Sequence, residues 1–211
     1  MTTKEKLLAL LEDSKGTFFS GEEIARTLQV SRAAVWKAVN ALREDGYTID
    51  AATNKGYRLS PDSDILSPQG IRRFLKPEYR DLDLTVLPTA PSTNALVREK
   101  ANQGRPEGCV IVACEQTDGR GRYGRQFFSP VDSGVYLSLL LRPTAYSPQQ
   151  ATCLTAAAAA AMCQAIEAVT GQQPGIKWVN DIFLRGKKVC GILTEAAVGL
   201  ETGTLNYMVL G

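Results

Sequence analysis

Apolar positions in the first sixty residues follow a helical period. Leu7, Leu8, Leu10 and Leu11 cluster within Lys4 to Glu12, as one buried face of a short helix requires, and Gly16 stops it. Ser20 begins a second helix, with Glu23 placed to complete a capping box and Ile24, Ala25 and Leu28 forming the apolar side. After a corner at Gln29-Val30-Ser31, a third helix capped by Ser31 carries Val35, Val39 and Leu42 at i, i+4 and i+7 on its buried face. Arg32, Ala33, Trp36, Lys37, Asn40 and Arg43 point the other way. Gly46 ends that helix. Tyr47 to Ile49 and Tyr57 to Leu59 then read as strands around a turn at Thr53-Asn54-Lys55-Gly56.

Ser60-Pro61-Asp62-Ser63-Asp64 is polar and carries a proline that cannot continue a ladder, so a linker is expected there, dividing residues 1–63 from 64–211. Beyond it the period shortens. Leu82 to Leu87, Cys109 to Cys114, Gly134 to Leu141, Ile182 to Leu184, Val189 to Thr194 and Leu205 to Leu210 read as strands. Ile182 to Leu184 and Val189 to Thr194 would form a hairpin around Arg185-Gly186-Lys187-Lys188. One helix is expected after Pro91. Another runs from Ser147 or Pro148 to Gly171, and its alanine run, Ala156 to Ala161, suits close packing on a sheet. The fold class expected is α+β: a winged helix-turn-helix, then a mixed α/β domain.

Composition narrows the function more than the fold. The 211 residues are 44% hydrophobic and 22% charged, which excludes disordered and fibrous classes. There is no histidine, so Ser-His-Asp and Cys-His nucleophiles and histidine-ligated metal sites are excluded, and no metal site is expected. Five cysteines without a C-x-x-C pair suggest free thiols in a reducing, cytoplasmic setting. Neither a signal peptide nor a continuous apolar run of about 18 residues is evident, so no membrane association is expected. The net charge of +2 (24 bases, 22 acids) is too small to imply nucleic acid by itself, so any basic site is local.

Two local sites stand out. The start of the second helix, the outer face of the third and the hairpin turn offer Gly21, Ser31, Arg32, Ala33, Trp36, Lys37, Asn40 and Lys55, with Arg58 nearby, to a DNA groove and backbone. The competing reading is an interaction module that never touches DNA, and Trp36 is equally suited to packing on the first helix or a partner. The second site is Gly119-Arg-Gly-Arg-Tyr-Gly-Arg125. It contains G-x-G-x-x-G, but Gln126-Phe127-Phe128-Ser129-Pro130 cannot open the helix a dinucleotide fingerprint needs, and it lacks the Gly-Lys-Ser/Thr end of a Walker loop. What remains is flexible backbone with three guanidiniums suited to phosphate oxygens, expected to be mobile until an anion folds it over. A solvated basic loop or a second DNA contact are the alternatives. Ser92-Thr93-Asn94 alone is a helix cap, and Lys177-Trp178-Val179-Asn180-Asp181 alone is a turn.

Together and in this order, these segments resemble the bifunctional biotin protein ligases that double as biotin operon repressors. The residues that carry the resemblance are Ser92-Thr93-Asn94, Gln116, the 119–125 loop, Ser129-Pro130, Lys177-Trp178-x-Asn180-Asp181, and Lys188-x-x-Gly191-Ile192-Leu193 with Glu195 behind it. Ser31-Arg32-Ala33-Ala34-Val35 and Lys55-Gly56-Tyr57 are similar to the family's repressor domain. The resemblance implies that the second domain is a biotin/lipoate-type ligase domain using biotin and MgATP. It would form biotinyl-5′-AMP, then biotinylate a lysine of a biotin carboxyl carrier protein. Operator DNA would be the other partner, with a homodimer when liganded and the adenylate as co-repressor.

By the same resemblance, Ser92, Thr93, Asn94, Gln116, Arg120, Gly121, Arg122, Lys188 and Gly191 would bind biotin or its adenylate. Arg125, Phe127, Asn180 and Asp181 would lie at the nucleotide, and Lys188, Arg122 and Arg125 would be catalytic. Phe127 stands where the family usually has Trp, Val179 where it has Pro, and Tyr123 where it often has Arg. The chain is expected to be incomplete, stopping inside a strand before the rest of the sheet and a C-terminal β-barrel. A non-catalytic biotin-sensing repressor is the alternative, disfavoured by Lys188. A lipoate or octanoate transferase is disfavoured by the polar Ser92-Thr93-Gln116 set.

Overall fold

The computed structural model describes residues 1–211 except 132, 144–145, 148–149 and 200–202, with the backbone alone for residue 151. It divides into two compact units, Met1–Asp81 and Leu82–Gly211. The boundary expected after Ser63 therefore falls after Asp81.

In the first unit, α1 (Thr3–Asp13), α2 (Gly21–Leu28) and α3 (Arg32–Glu44) precede a hairpin of β1 (Ile49–Ala52) and β2 (Gly56–Leu59). The caps are local chemistry. Thr2 and Glu5 form a full capping box on α1, Ser31 Oγ accepts from Ala34 N at 3.2 Å, and Ser20 Oγ accepts from Glu23 N at 3.1 Å. At α2 only this half of the expected box is present. Leu7, Leu11, Ile24, Val35, Val39, Leu42 and Leu59 make the core. β1 starts only at Ile49, because the Tyr47 N–H still closes on Leu42 at the end of α3.

Two cations read as outward-facing are tied into the fold. The Arg43 guanidinium donates twice to the Ile49 carbonyl, at 3.1 and 2.7 Å, and Arg58 pairs with Asp50 across the hairpin at 2.8 Å. What extends the unit past the expected linker is a short helix, α4 (Pro68–Arg72), packed on α1. Its anchor is Glu12, only 4% exposed, which accepts from Ser67 Oγ at 3.4 Å and faces Arg73 at 3.8 Å. Sequence periodicity could not flag Glu12, a charge on the buried face of a leucine helix.

The second unit is built on a five-stranded sheet ordered β3-β4-β5-β10-β9. β3 (Asp83–Leu87) and β4 (Cys109–Ala113) are parallel, joined by the crossover helix α5 (Thr93–Asn102). β5 (Tyr136–Leu141), β10 (Leu205–Leu210) and β9 (Thr194–Val198) continue antiparallel. Val97 and Ala101 of α5 pack on Ile111, Leu140 and Val209. Arg142 closes the back of α5: its guanidinium donates to the carbonyls of Ala101, Arg105 and Asn206 at 2.8–3.1 Å.

A second sheet holds β6 (Gly175–Lys177), β7 (Asp181–Leu184) and β8 (Lys187–Gly191). The expected hairpin is therefore shifted. Its turn is Arg185-Gly186, both at positive φ, so Lys187 and Lys188 lie in a strand rather than in the turn. The strand expected over 189–194 is broken as well: β8 ends at Gly191, and the chain crosses at Ile192-Leu193 into the large sheet as β9.

The alanine-rich α6 (Ala151–Thr170) begins after the expected start, and Pro148 lies outside the described residues. Packing of α6 is narrower than expected. Thr155 and Ala159 are buried, Thr155 Oγ1 lies 2.7 Å from Thr194 Oγ1 at the start of β9, and the helix otherwise packs mainly on β6 and β7. By length and composition alone, Thr152–Thr170 is long and apolar enough to cross a membrane. That departs from the sequence expectation of no such run, because small alanine and threonine residues add up to an apolar helix without any bulky stretch.

Candidate functional site

The floor of the site is the N-terminus of α5. Ser92 caps the helix, accepting from Ala95 N at 3.4 Å, and Ser92, Thr93 and Asn94 are all buried. Thr93 donates through its backbone N–H (2.9 Å) and its hydroxyl (3.1 Å) to Gln116 Oε1. Gln116 Nε2 donates to Ser129 Oγ at 3.2 Å, and Ser129 donates to the Phe127 carbonyl at 3.1 Å. On the other side, Ser138 Oγ lies 2.8 Å from Thr93 Oγ1 and donates to Asn94 Oδ1 at 2.6 Å. Asn94 Nδ2 donates to Glu195 Oε2 at 2.8 Å and to the Leu193 carbonyl at 3.2 Å. Asn94, expected to meet ligand, thus has both ends of its amide engaged within the fold.

Sequence reading gave Ser138, Glu195, Arg98 and Gly211 no role here. Ser138 carried a signal: a serine shares the inward parity of β5 with fully buried Leu140. Gly211 lies so close that a Cβ there would be 1.9 Å from Asn94 Oδ1 and 2.5 Å from Ser138 Oγ.

The arginine loop is a laddered hairpin. Gln116 N–H bonds to Ser129 O (3.0 Å), Phe127 N–H to Gly119 O (2.8 Å) and Gly121 N–H to Arg125 O (2.7 Å). The tip, Arg122–Gly124, is a short 3₁₀ turn with Tyr123 and Gly124 at positive φ. Within this hairpin the glycines let two backbones approach. A Cβ on Gly119 would meet the Phe127 carbonyl at 2.4 Å.

The loop's cations are placed differently. Arg120 is paired with Asp118 at 2.8 Å in solvent. The exposed Arg125 side chain has no hydrogen bond or ion pair among the described residues, and with Asp118 to Arg120, Gly124 and Gln126 it lines an open recess. Arg122 reaches Asn180 Oδ1 at 3.0 Å, across 58 positions of sequence. Asn180 is held in turn by Ile192, whose carbonyl accepts from its Nδ2 (3.1 Å) and whose N–H donates to its carbonyl (2.8 Å). Beside this contact, a second cleft is lined by Thr155, Val179, Ile192 and Thr194.

Lys188 completes the cluster. A bulge at Val189 sets Lys188 opposite Phe183 and Gly191 opposite Asp181, so Lys188, Gly191 and Asp181 share one face of the small sheet. Lys188 Nζ lies 2.8 Å from Asp181 Oδ1 and 6.0 Å from the centre of the Phe127 ring. Gly191 leaves the space: a Cβ there would meet Lys188 Cε and Nζ at 2.9 Å. Asp181 Oδ1 is buried and otherwise has no hydrogen-bond partner among the described residues, so the ammonium is its compensation. Burial pushes the neighbouring Cys190 thiol up, keeping it protonated beside the cation. Trp178 of the same turn is 77% exposed.

The structure therefore brings together Thr93 with Gln116, Arg122 with Asn180, and Phe127, Lys188, Gly191 and Asp181. It keeps Arg120 and Arg125 in solvent. In the first unit, Arg32, Ala33, Trp36 and Lys37 are exposed on α3, with Asn40 half-buried. Trp36, 58% exposed, does not pack into the core. Ser31 is engaged as a cap, a Cβ added at Gly21 would lie 3.8 Å from the Tyr57 ring, and Lys55 is at the hairpin tip, 6.0 Å from the Phe18 ring.

A family model described as Biotin/lipoate A/B protein ligase family matches residues 86–211, and one described as HTH domain matches residues 3–58. The chain is 43% identical over 194 residues to the bifunctional ligase/repressor BirA of Bacillus spizizenii, covering 92% of this chain and 59% of that one. It is 32% identical over 210 residues to the bifunctional ligase/repressor BirA of Escherichia coli, covering 100% and 62%. The solved biotin protein ligase from Aquifex aeolicus in complex with biotin and ATP is 29% identical, with a TM-score of 0.48 over 61% of this chain and 50% of that one. The chain thus spans about three fifths of the length of these curated relatives. It belongs to the biotin/lipoate A/B protein ligase family, with a helix-turn-helix domain ahead of the ligase domain.

Proposed function

We propose that the protein is a biotin protein ligase and a biotin-responsive repressor. The biotin carboxylate attacks the α-phosphorus of ATP, forming biotinyl-5′-AMP and releasing pyrophosphate. The ε-amine of a lysine on a biotin carboxyl carrier protein then attacks the acyl carbon, giving the amide, AMP and a proton. Neither step requires histidine, since positioning and neutralisation of phosphate charge supply most of what phosphoryl transfer needs. Thr93, Gln116 and the Ser92–Asn94 turn hold the ureido end of biotin. Lys188 leaves Asp181 for the reacting carboxylate and α-phosphate, where its charge stabilises the transition state. Arg120, Gly121 and Arg122 cover the adenylate, Arg125 contributes to phosphate neutralisation, and Phe127, Asn180 and Asp181 border the nucleotide.

Magnesium enters as MgATP. Among the described residues no group of three metal-ligating side chains occurs, and Asp181, paired with Lys188 at 2.8 Å, is the carboxylate nearest the proposed nucleotide side. In the first unit, Arg32, Ala33, Trp36, Lys37 and Asn40 face the DNA groove, Ser31 and Gly21 set the helix ends near the backbone, and Lys55 reaches a phosphate. The adenylate acts as co-repressor by favouring a homodimer on operator half-sites. We place the protein in the cytoplasm and keep α6 as a helix of the ligase domain, which the family match encloses.

The observation that carries this reading is that Lys188 stands over Phe127 and pairs with Asp181, next in the chain to the Asn180 that Arg122 reaches, while Ser129 links Phe127 to the part-buried Thr93–Gln116 pair. Biotin-dependent exchange of pyrophosphate into ATP tests it. Exchange is expected, with a loss of about a hundredfold or more in Lys188→Ala. Biotin binding without exchange would leave a sensor, and no biotin binding would overturn the reading.

A further inference from the structure

Glu195 stands at the end of the buried hydrogen-bonded chain farthest from the arginine loop, and it sets the direction of the protons in that chain. A carboxylate only accepts. Its Oε1 takes Arg98 Nη1 at 2.8 Å, and its Oε2 takes one hydrogen of the Asn94 amide at 2.8 Å. The Leu193 carbonyl takes the other, at 3.2 Å. With both hydrogens turned toward β9, the Asn94 oxygen must face inward, where Ser138 donates to it. Ser138 has a single proton, so it turns a lone pair toward Thr93 Oγ1. Gly211 lies against this oxygen, a Cβ there being 1.9 Å from Asn94 Oδ1.

The consequence reaches the pocket. Two hydroxyl protons, from Ser138 and Thr93, serve three contacts: Asn94 Oδ1, Gln116 Oε1 and the Ser138–Thr93 pair. The network is therefore short of donors. We infer that Glu195, clamped by Arg98, is a positioning residue for the biotin pocket. It orients Asn94 and, through Ser138, keeps the Thr93–Gln116 pair accepting toward the ligand. This rests on the reading of the site as a biotin pocket.

The test is calorimetric binding of biotin and of ATP to the protein and its variants, with melting temperature measured alongside. In Glu195→Ala, biotin affinity is expected to fall about tenfold while ATP affinity stays within about twofold. Glu195→Gln, whose carbonyl oxygen still accepts from Asn94, should stay within about threefold of the unaltered protein. In an Asn94→Ala background, Glu195→Ala should have no further effect on biotin. Unchanged biotin affinity in Glu195→Ala, equal losses for biotin and ATP, or additivity with Asn94→Ala would each overturn the assignment. If Glu195→Ala does not fold, Glu195→Asp carries the test, because it withdraws the carboxylate from Asn94, and an unchanged affinity overturns the role. If the unaltered protein binds no biotin, the pocket reading fails and this inference falls with it; biotin binding insensitive to Glu195 sinks only the latter.

Discussion

Gly119 and Gly121 stand two residues apart in one loop and answer to different constraints. A methyl at Gly119 would lie 2.4 Å from the Phe127 carbonyl and 2.7 Å from Ser129 Oγ, whereas at Gly121 the nearest atom is 3.5 Å away. Gly119→Ala should therefore open the hairpin, costing about 1–3 kcal/mol and weakening biotin binding, while Gly121→Ala leaves the melting temperature nearly unchanged. Thermal denaturation of the two variants side by side checks this. The cysteines give a pH dependence of definite sign. Burial raises Cys109 and Cys190 above the ordinary thiol value of 9.0. The folded chain then keeps protons that the unfolded chain loses, so stability falls as pH rises from about 9 through the folded values. Urea midpoints should drop between pH 8 and 10, and drop less in a Cys109→Ala, Cys190→Ala variant. The chemistry-bearing residues Thr93, Gln116, Arg122 and Lys188 were legible because their types and spacing carry meaning along the chain. Ser138 was not, and Glu195, although part of the motif that carried the resemblance, had no role assigned, since each acts through a neighbour more than forty positions away.

At the scale of elements, legibility followed locality. Capped helices with apolar stripes, α1 to α3, came out within a few residues because caps and stripes are written in adjacent positions. β8 and β9 did not. Val189 to Thr194 is one β-prone run, but Gly191 pairs with Asp181 in the small sheet and Thr194 with Leu210 in the large one, and nothing in the run itself marks the change of partner. Arg142 teaches the same lesson. A lone arginine after a strand has no sequence signature, yet it caps α5 and ties it to Arg105 and Asn206. Arg142→Ala should cost about 2–3 kcal/mol by chemical denaturation, and Arg142→Lys should recover little, because an ammonium lacks the planar fork that spans these carbonyls.

Over the whole molecule, the two units carry separate cores, and their stabilities should be separable. Gly56 sits at φ +93 with the Phe19 carbonyl 2.0 Å from where a Cβ would be. Gly56→Ala should destabilise the first unit by about 3 kcal/mol or more and abolish DNA binding, with the unfolding of the second unit and its biotin affinity unmoved. Limited proteolysis with fragment mapping distinguishes the two. The closeness of Gly211 to Asn94 and Ser138 has one more consequence, for the order of events during synthesis. The helix-turn-helix unit can complete its core once its own eighty-odd residues have emerged. The Asn94–Ser138 cluster of the second unit cannot, because β10 brings residue 211 against a turn translated more than a hundred residues earlier. On a ribosome-bound nascent chain, the helix-turn-helix unit would thus stand folded well before the second unit could close its Asn94–Ser138 cluster.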